Sequence, residues 1–200
     1  MNTDTRPYRS PLRDEQAEET RTRILEATLR VMAGGLASVT IPAVAREAGV
    51  SVPTIYRHFG TKRDLMAELH PHVMRRAGFD EVVPPRSIDE LRDGVRSLFS
   101  RLDAVDDLAW AAMASPAAEE ARAIHMPGRL ELGRRFAGTI EPEPTKADRE
   151  RIARLLVVLI SSSSLRVWRD HLGASVEEAA DDIDWMIHAA IAASTPRAKR

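Results

Sequence analysis

Apolar positions along this chain recur at spacings of three and four residues, which is the period of an amphipathic α-helix. The stripe is clearest over residues 19–33, 88–102 and 176–193, where each segment has one apolar face. No segment shows the strict alternation of apolar and polar residues that is typical of a half-buried strand. We therefore predict an all-α fold of about nine helices, without strands or an internal repeat.

Two short helices are predicted between Thr40 and Phe59. Thr40 and Ser51 are the helix N-caps, and Gly49 between them suits the positive φ of a sharp helix stop. Ile55 and Phe59 lie four residues apart and anchor the second helix inward. Its remaining positions face outward, as in a helix–turn–helix, which presents its second helix to the DNA major groove.

The later helices are bounded by caps and prolines. The Thr61–Asp64 box opens a fourth helix toward Ala77, in which Pro71 marks either a kink or the end. Three shorter helices, broken at Pro116 and Pro127, are predicted over residues 106–139. A long helix capped by Thr145 is predicted to run to about His171, and Ser175 caps the last one, which ends near Ala193.

The pattern AxxAGVSxxTIYxHFxxKxxL is long and specific. It consists here of Ala45, Ala48, Gly49, Val50, Ser51, Thr54, Ile55, Tyr56, His58, Phe59, Lys62 and Leu65. At these residues the chain resembles the TetR family of bacterial transcriptional repressors, over roughly residues 20–66. The resemblance implies a DNA-binding head and a ligand-binding body. It also implies that the fourth helix connects the two, and that the last two helices form a homodimer interface.

We accordingly expect four segments: a flexible arm (1–18), a helix–turn–helix head (19–66), a ligand-binding and dimerisation body (67–195) and a basic tail (196–200). Arginines in the arm (Arg6, Arg9 and Arg13) either reach a minor groove or belong to a solvated tail.

The candidate DNA-binding residues are Thr40, Ser51, Val52, Pro53, Thr54, Tyr56, Arg57, His58 and Lys62. Val52 and Pro53 suit contact with thymine methyl groups, although Val52 is alternatively a helix-start residue. Thr54 and Tyr56 carry hydroxyls that suit phosphate oxygens.

The other polar candidates differ in what they offer DNA. Arg57 suits a bidentate contact to guanine, with a phosphate contact or a surface salt bridge as alternatives. His58 contacts a phosphate or is a structural histidine under Phe59. Lys62, at a helix start, suits a phosphate, and Thr40 combines capping with phosphate contact. A two-fold dimer on a palindromic double-stranded operator supplies the contacts that one head lacks.

The expected effector is a small hydrophobic molecule, since a bundle pocket is mostly apolar. Candidate pocket residues are Phe99, Trp110, Met113, His125, Met126, Phe136 and Leu165. Most apolar stripe residues are simply core, and His125 is alternatively a satisfied structural histidine.

The dimer interface is expected over about residues 145–193. Ser161–Ser164 either lets another backbone approach closely, or bonds back to helix carbonyls, or lines a cavity. Trp168 and Trp185 are either interface anchors or core.

Composition narrows the function classes. The net charge is −1 and there is no cysteine, which excludes disulfides and thiol chemistry. Residues 1–63 hold ten basic and seven acidic residues, so a slightly basic head is joined to an acidic remainder. No signal peptide precedes the first helix and the apolar run at residues 155–160 is too short to span a bilayer, so we expect a cytoplasmic protein without membrane contact.

Enzyme chemistry is not predicted. No Gly-rich phosphate loop, GxSxG or HExxH motif is present. His70 and His72 are spaced wrongly for a metal pair, and solvent exposure explains the acidic group at Asp181, Asp182 and Asp184. No cofactor is expected. The alternative to a ligand-responsive regulator is a helical interaction module with a vestigial head, and activation instead of repression stays open.

Overall fold

The computed structural model describes residues 11–35, 39–79 and 85–194 of the chain. Within those ranges the fold is all-α, as predicted, with ten α-helices and no strand. The helices are α1 (Pro11–Ala33), α2 (Ile41–Ala48), α3 (Val52–Phe59), α4 (Lys62–Arg76), α5 (Leu91–Asp103), α6 (Asp107–Ala114), α7 (Ala118–Ala137), α8 (Lys146–Leu159), α9 (Ser162–Arg166) and α10 (Val176–Ser194). A 3₁₀ turn precedes α5, and a π-helical turn (Val167–His171) continues α9.

The prediction of a flexible arm over residues 1–18 disagrees with the structure at residues 11–18. Residues 11–18 already belong to α1, because they contain no residue that breaks a helix after Pro11, which is tolerated in a first turn. Arg13 is therefore helical, whereas Arg6 and Arg9 lie outside the described residues, as does the tail at 196–200.

Pro71 does not end the fourth helix. The helix α4 continues through it to Arg76, which excludes the helix end that the sequence left open at this point. A proline at position 71 has no N–H for the carbonyl of Ala67. The imidazole of His125 on α7 donates from Nε2 to that carbonyl at 2.9 Å, which replaces the missing bond.

The predicted helix break at Pro127 is wrong, since α7 runs uninterrupted to Ala137. Pro127 and Ala123, the residue whose carbonyl it leaves free, are both exposed. Water can therefore satisfy that carbonyl, and the helix continues.

The long helix predicted to reach His171 is divided at Ile160. The Ser161 hydroxyl accepts a hydrogen bond from the N–H of Ser164 at 3.0 Å and starts α9. Serine competes with the helical ladder in this way because its short side chain bonds nearby backbone. Arg129 donates to the carbonyls of Val157 and Ile160 that the break leaves without helical partners.

Two apolar cores lie on either side of α4. One joins α1–α4 with Ala112 of α6 and two alanines at the start of α7, and the other joins the end of α4 with α5, α7, α8, α9 and α10. Polar contacts reinforce the packing of α4 against α1. Arg76 of α4 binds both Glu26 of α1 and Asp106. Burial alone raises the pKa of Glu26, but hydrogen bonds from Arg76 and His72 outweigh it and leave that pKa lowered.

Candidate functional site

The turn between α2 and α3 is fixed by short-range contacts. The Thr40 hydroxyl accepts from the N–H of Ala43 at 3.4 Å, and the Ser51 hydroxyl accepts from that of Thr54 at 3.3 Å. Gly49 has φ 65°, in the left-handed region that favours glycine. Both predicted caps and the glycine stop are therefore confirmed.

The outer face of α3 presents an aromatic ring and a guanidinium. Tyr56 is 46% exposed, and Arg57 is exposed with no ion pair among the described residues. Pro53 is exposed, whereas Val52 packs partly against the head core and so also has the structural role of a helix-start residue. Ile55 and Phe59 are buried as predicted.

Arg21 of α1 ties α3 to α4 from the inner side. It donates to the His58 carbonyl at 2.8 Å, lies over the Phe59 ring at 4.4 Å and pairs with Glu68 at 2.9 Å. Burial, and then the charges of Arg57 and Arg21, lower the pKa of His58. A neutral imidazole at neutral pH still has an N–H that can reach a phosphate.

Two of the predicted phosphate-binding groups already have partners in the structure. The Thr54 hydroxyl lies 2.9 Å from that of Ser51. The Lys62 ammonium is 2.8 Å from a carboxylate oxygen of Glu120 on α7, in a half-buried ion pair between head and body. Contact of Lys62 with a phosphate therefore competes with Glu120.

A half-open cavity of about 490 Å³ lies beside α4, lined by residues of α1, α4, α5, α6, α7 and α8 and of the break after α8. Three of the predicted pocket residues line it: Met113, His125 and Phe136. The other four do not: Phe99 and Leu165 are core, Met126 does not reach the wall, and the Trp110 ring is covered by Arg169 at 3.7 Å. Ser161 and Ser162 line the cavity, which is one of the roles that the sequence left open.

Four polar residues of the cavity wall were not among the predicted pocket residues: His70, Ser97, Arg122 and Arg129. His70 lies on α4, and its ring centroid is 4.8 Å from that of His125. Arg129 lines the same wall from α7. A signal existed for His70 and Arg129, since each lies one or two residues from a proline inside a helix, where the backbone needs outside partners. The contact between the two histidines, 55 positions apart, had no local signal.

The surface of the last helices is apolar in places. Trp185 on α10 is 71% exposed, Val158 on α8 is 66% exposed, and Leu155 on α8 also faces solvent. Trp168, the other candidate interface anchor, instead packs partly against the body core. Among the helices that the structure describes, none has both the length and the apolar character needed to span a bilayer.

Sequence comparisons match part of the chain. The family profile described as "Bacterial regulatory proteins, tetR family" matches residues 24–69. The chain is 35% identical over 79 residues to the HTH-type transcriptional regulator TtgR of Pseudomonas putida, covering 36% of this chain and 38% of TtgR. It is 42% identical over 52 residues to the HTH-type transcriptional regulator SrpR, also of Pseudomonas putida, covering 26% of this chain and 24% of SrpR. The chain thus aligns with less than two fifths of the length of either relative.

The fold extends the likeness beyond the head. The crystal structure of NalD, described as the secondary repressor of the MexAB-OprM multidrug efflux pump in Pseudomonas aeruginosa, superposes with a TM-score of 0.59. The superposition covers 88% of this chain and 96% of NalD at 19% sequence identity, so it bears on the fold alone.

Proposed function

We propose that the chain is a DNA-binding transcriptional regulator of the TetR family, whose profile matches residues 24–69. In this proposal a homodimer binds a palindromic operator, represses the adjacent promoter and is released by a small apolar effector. The observation that carries it is the outer face of α3, where Tyr56 and Arg57 are exposed on a helix held rigidly by caps at both ends.

Sequence readout is assigned to the outer face of α3. Arg57 suits guanine because its planar fork matches two acceptors on the major-groove edge, and no carboxylate of the described residues competes for it. Pro53 and the exposed part of Val52 suit thymine methyl groups. The remaining candidates, Thr40, Ser51, Thr54, Tyr56, His58 and Lys62, position the head on phosphates.

Dimerisation is assigned to α8 and α10. One head makes few contacts, and two heads related by a two-fold axis double them. A contiguous exposed apolar patch on a monomer surface marks an interaction site, and tryptophan is enriched among the anchors of such interfaces. Val158 and Trp185 are exposed apolar side chains on two helices that pack against each other.

Release is assigned to α4, which joins the cavity to the head. Its Ala67 carbonyl is held by His125, a residue of the cavity wall, and its first residue, Lys62, is held by Glu120. An effector that shifts α7 against α4 changes both contacts. Coupling of about 1–3 kcal/mol, which alters operator affinity by about 5–150-fold, suffices for a switch.

The test is selection of binding sites from a random double-stranded DNA library by the purified protein. The wild type should enrich one palindromic sequence, with affinity that falls as salt rises. Arg57→Ala should lose discrimination at the guanine positions, at a cost of about 1–3 kcal/mol, because the bidentate contact is gone.

Arg135→Ala is the matched control, since it removes the same charge from an exposed site on α7 in the body. It should select the wild-type sequence. No enrichment by a protein freed of bound small molecules would contradict the proposal and favour a helical interaction module whose head no longer reads DNA.

A further inference from the structure

The polar groups of the cavity are all basic or uncharged. Arg122, Arg129, His70 and His125 line the wall with three serines, and no aspartate or glutamate of the described residues does so. The remaining wall is apolar or glycine. Its volume, about 490 Å³, lies in the range of small-molecule pockets, about 300–1,000 Å³. The charged side chains in the described part of the wall are therefore all basic.

The two guanidinium groups differ in their partners. Arg122 is neutralised by Glu119 at 2.6 Å and also donates to the Met113 carbonyl. Arg129 has no carboxylate partner among the described residues, and only its Nη2 is bonded, to the carbonyls of Val157 at 3.2 Å and Ile160 at 2.6 Å. Its Nε and Nη1 have no hydrogen bond within the described part of the chain.

Among the residues that the structure describes, Arg129 is therefore a half-buried cation without a carboxylate partner. Burial, and then the charge of Arg122, lower its pKa, yet a guanidinium stays protonated in proteins. A half-buried charge without an opposite charge is partly desolvated, and the two carbonyls offset that cost only in part. An anion beside Nε and Nη1 would supply the missing countercharge.

The histidine pair beside Arg129 adds neutral donors. The His70 side chain is exposed toward the cavity, and desolvation by the surrounding wall, followed by the charges of His125 and Arg129, lowers its pKa to about 4. His70 is thus uncharged at neutral pH and retains one ring N–H that has no hydrogen-bond partner among the described residues. His125 uses its Nε2 proton on the Ala67 carbonyl, so His70 is the available donor.

We propose that the effector is an apolar monocarboxylate, whose carboxylate binds Arg129 and His70 and whose hydrocarbon part fills the cavity toward Phe136 and Leu98. This proposal deepens the proposed function. Only the regulatory role of the ligand rests on that function; the binding of a carboxylate does not. A cationic ligand would add a second positive charge. A neutral ligand would leave Arg129 uncompensated.

The test is calorimetric titration of the full-length protein with octanoate, octanamide and octylammonium, which share one hydrocarbon chain. Octanoate should bind at least tenfold more tightly than octanamide, and octylammonium should not bind. Arg129→Met keeps the length of the side chain and should abolish the preference for the carboxylate over the amide. Arg129→Lys keeps the charge and should retain part of it.

Arg135→Met, on the exposed face of the same helix, is the matched control and should bind all three probes as the wild type does. Equal affinity for octanoate and octanamide, tighter binding of octylammonium, binding of none of the probes, or an unchanged preference in a folded Arg129→Met protein would each overturn the proposal. The result is independent of the proposed function: octanoate binding by a protein that selects no DNA sequence would refute the regulator while keeping the ligand class.

Discussion

The head and the body are both helical, but they are specified at different ranges along the chain. In the head, three helices in succession start at side-chain caps, those of Thr40, Ser51 and Thr61, each bonded three residues ahead. In the body, side-chain caps also start α6, α8, α9 and α10, but α5 and α7, which line the cavity, start without one, and α8 breaks beside that cavity. A surface that reads DNA needs fixed geometry, which local contacts provide. A cavity depends on how distant helices meet.

The largest effect on stability is expected where α7 and α8 of the body approach each other closely. A Cβ at Gly133 of α7 would lie 2.9 Å from the Cα of Ala153 and 3.1 Å from its carbonyl oxygen on α8. Because backbone cannot move aside as a flexible side chain does, Gly133→Ala should lower the free energy of unfolding by about 2–3 kcal/mol. Denaturant unfolding at fixed protein concentration measures this.

Gly128→Ala is the matched control on the same helix, since no atom lies within 4 Å of its added Cβ. It should be neutral or stabilising by up to about 1 kcal/mol, as alanine is the better helix former. Hydrogen exchange should locate the loss in Gly133→Ala in α7 and α8, with the α2–α3 amides unchanged. A loss spread evenly over the chain would mean that head and body do not respond separately.

The head depends on contacts between residues close in sequence and the cavity on contacts between distant ones. This difference explains what the sequence could predict. The bounds of α2 and α3 and the burial of Ile55 and Phe59 follow from caps, glycine and helical period within twenty residues, and the structure confirms them. The continuity of α4 across Pro71 was not predictable in this way, because the partner of the freed Ala67 carbonyl is 58 residues distant.

The candidate sites follow the same rule. The exposure of Tyr56 and Arg57 was correctly inferred from one helical face, although their contact with DNA stays a prediction. Three of the seven candidate ligand-binding residues line the cavity, and their contact with a ligand stays a prediction. Apolar periodicity identifies the inner face of a helix but not whether core or empty space lies beyond it. Arg129 was missed since its partners are carbonyls freed by a helix break on α8.

A second prediction separates head from body by their exposed apolar residues. Trp185→Ser on α10 should weaken dimerisation by about 2 kcal/mol or more, roughly 30-fold, if Trp185 is an interface anchor. Leu12→Ser is the control, because Leu12 is 62% exposed on α1. Sedimentation equilibrium should show a weaker dimer for the first variant alone. Equal dimer constants for Trp185→Ser and wild type would place the interface elsewhere.

The smallest effect is expected at the ion pair that joins the two parts. Lys62 and Glu120 are each about one third exposed, so the pair contributes little to stability, about 0.2–1 kcal/mol. That small energy nevertheless opposes DNA binding if Lys62 must leave Glu120 for a phosphate. Glu120→Gln should therefore raise affinity for the selected operator by about 2–5-fold, measured by fluorescence anisotropy at constant salt.

Glu119→Gln provides the control for this last effect, since it raises the net charge by the same single unit one residue earlier on α7. Glu119 pairs with Arg122 rather than Lys62, so its loss should change operator affinity only through general electrostatics. Equal gains in the two variants would reduce the effect to net charge. A gain for Glu120→Gln alone would show that the body withholds a phosphate-binding group from the head, and that the two parts are energetically coupled at the first residue of α4.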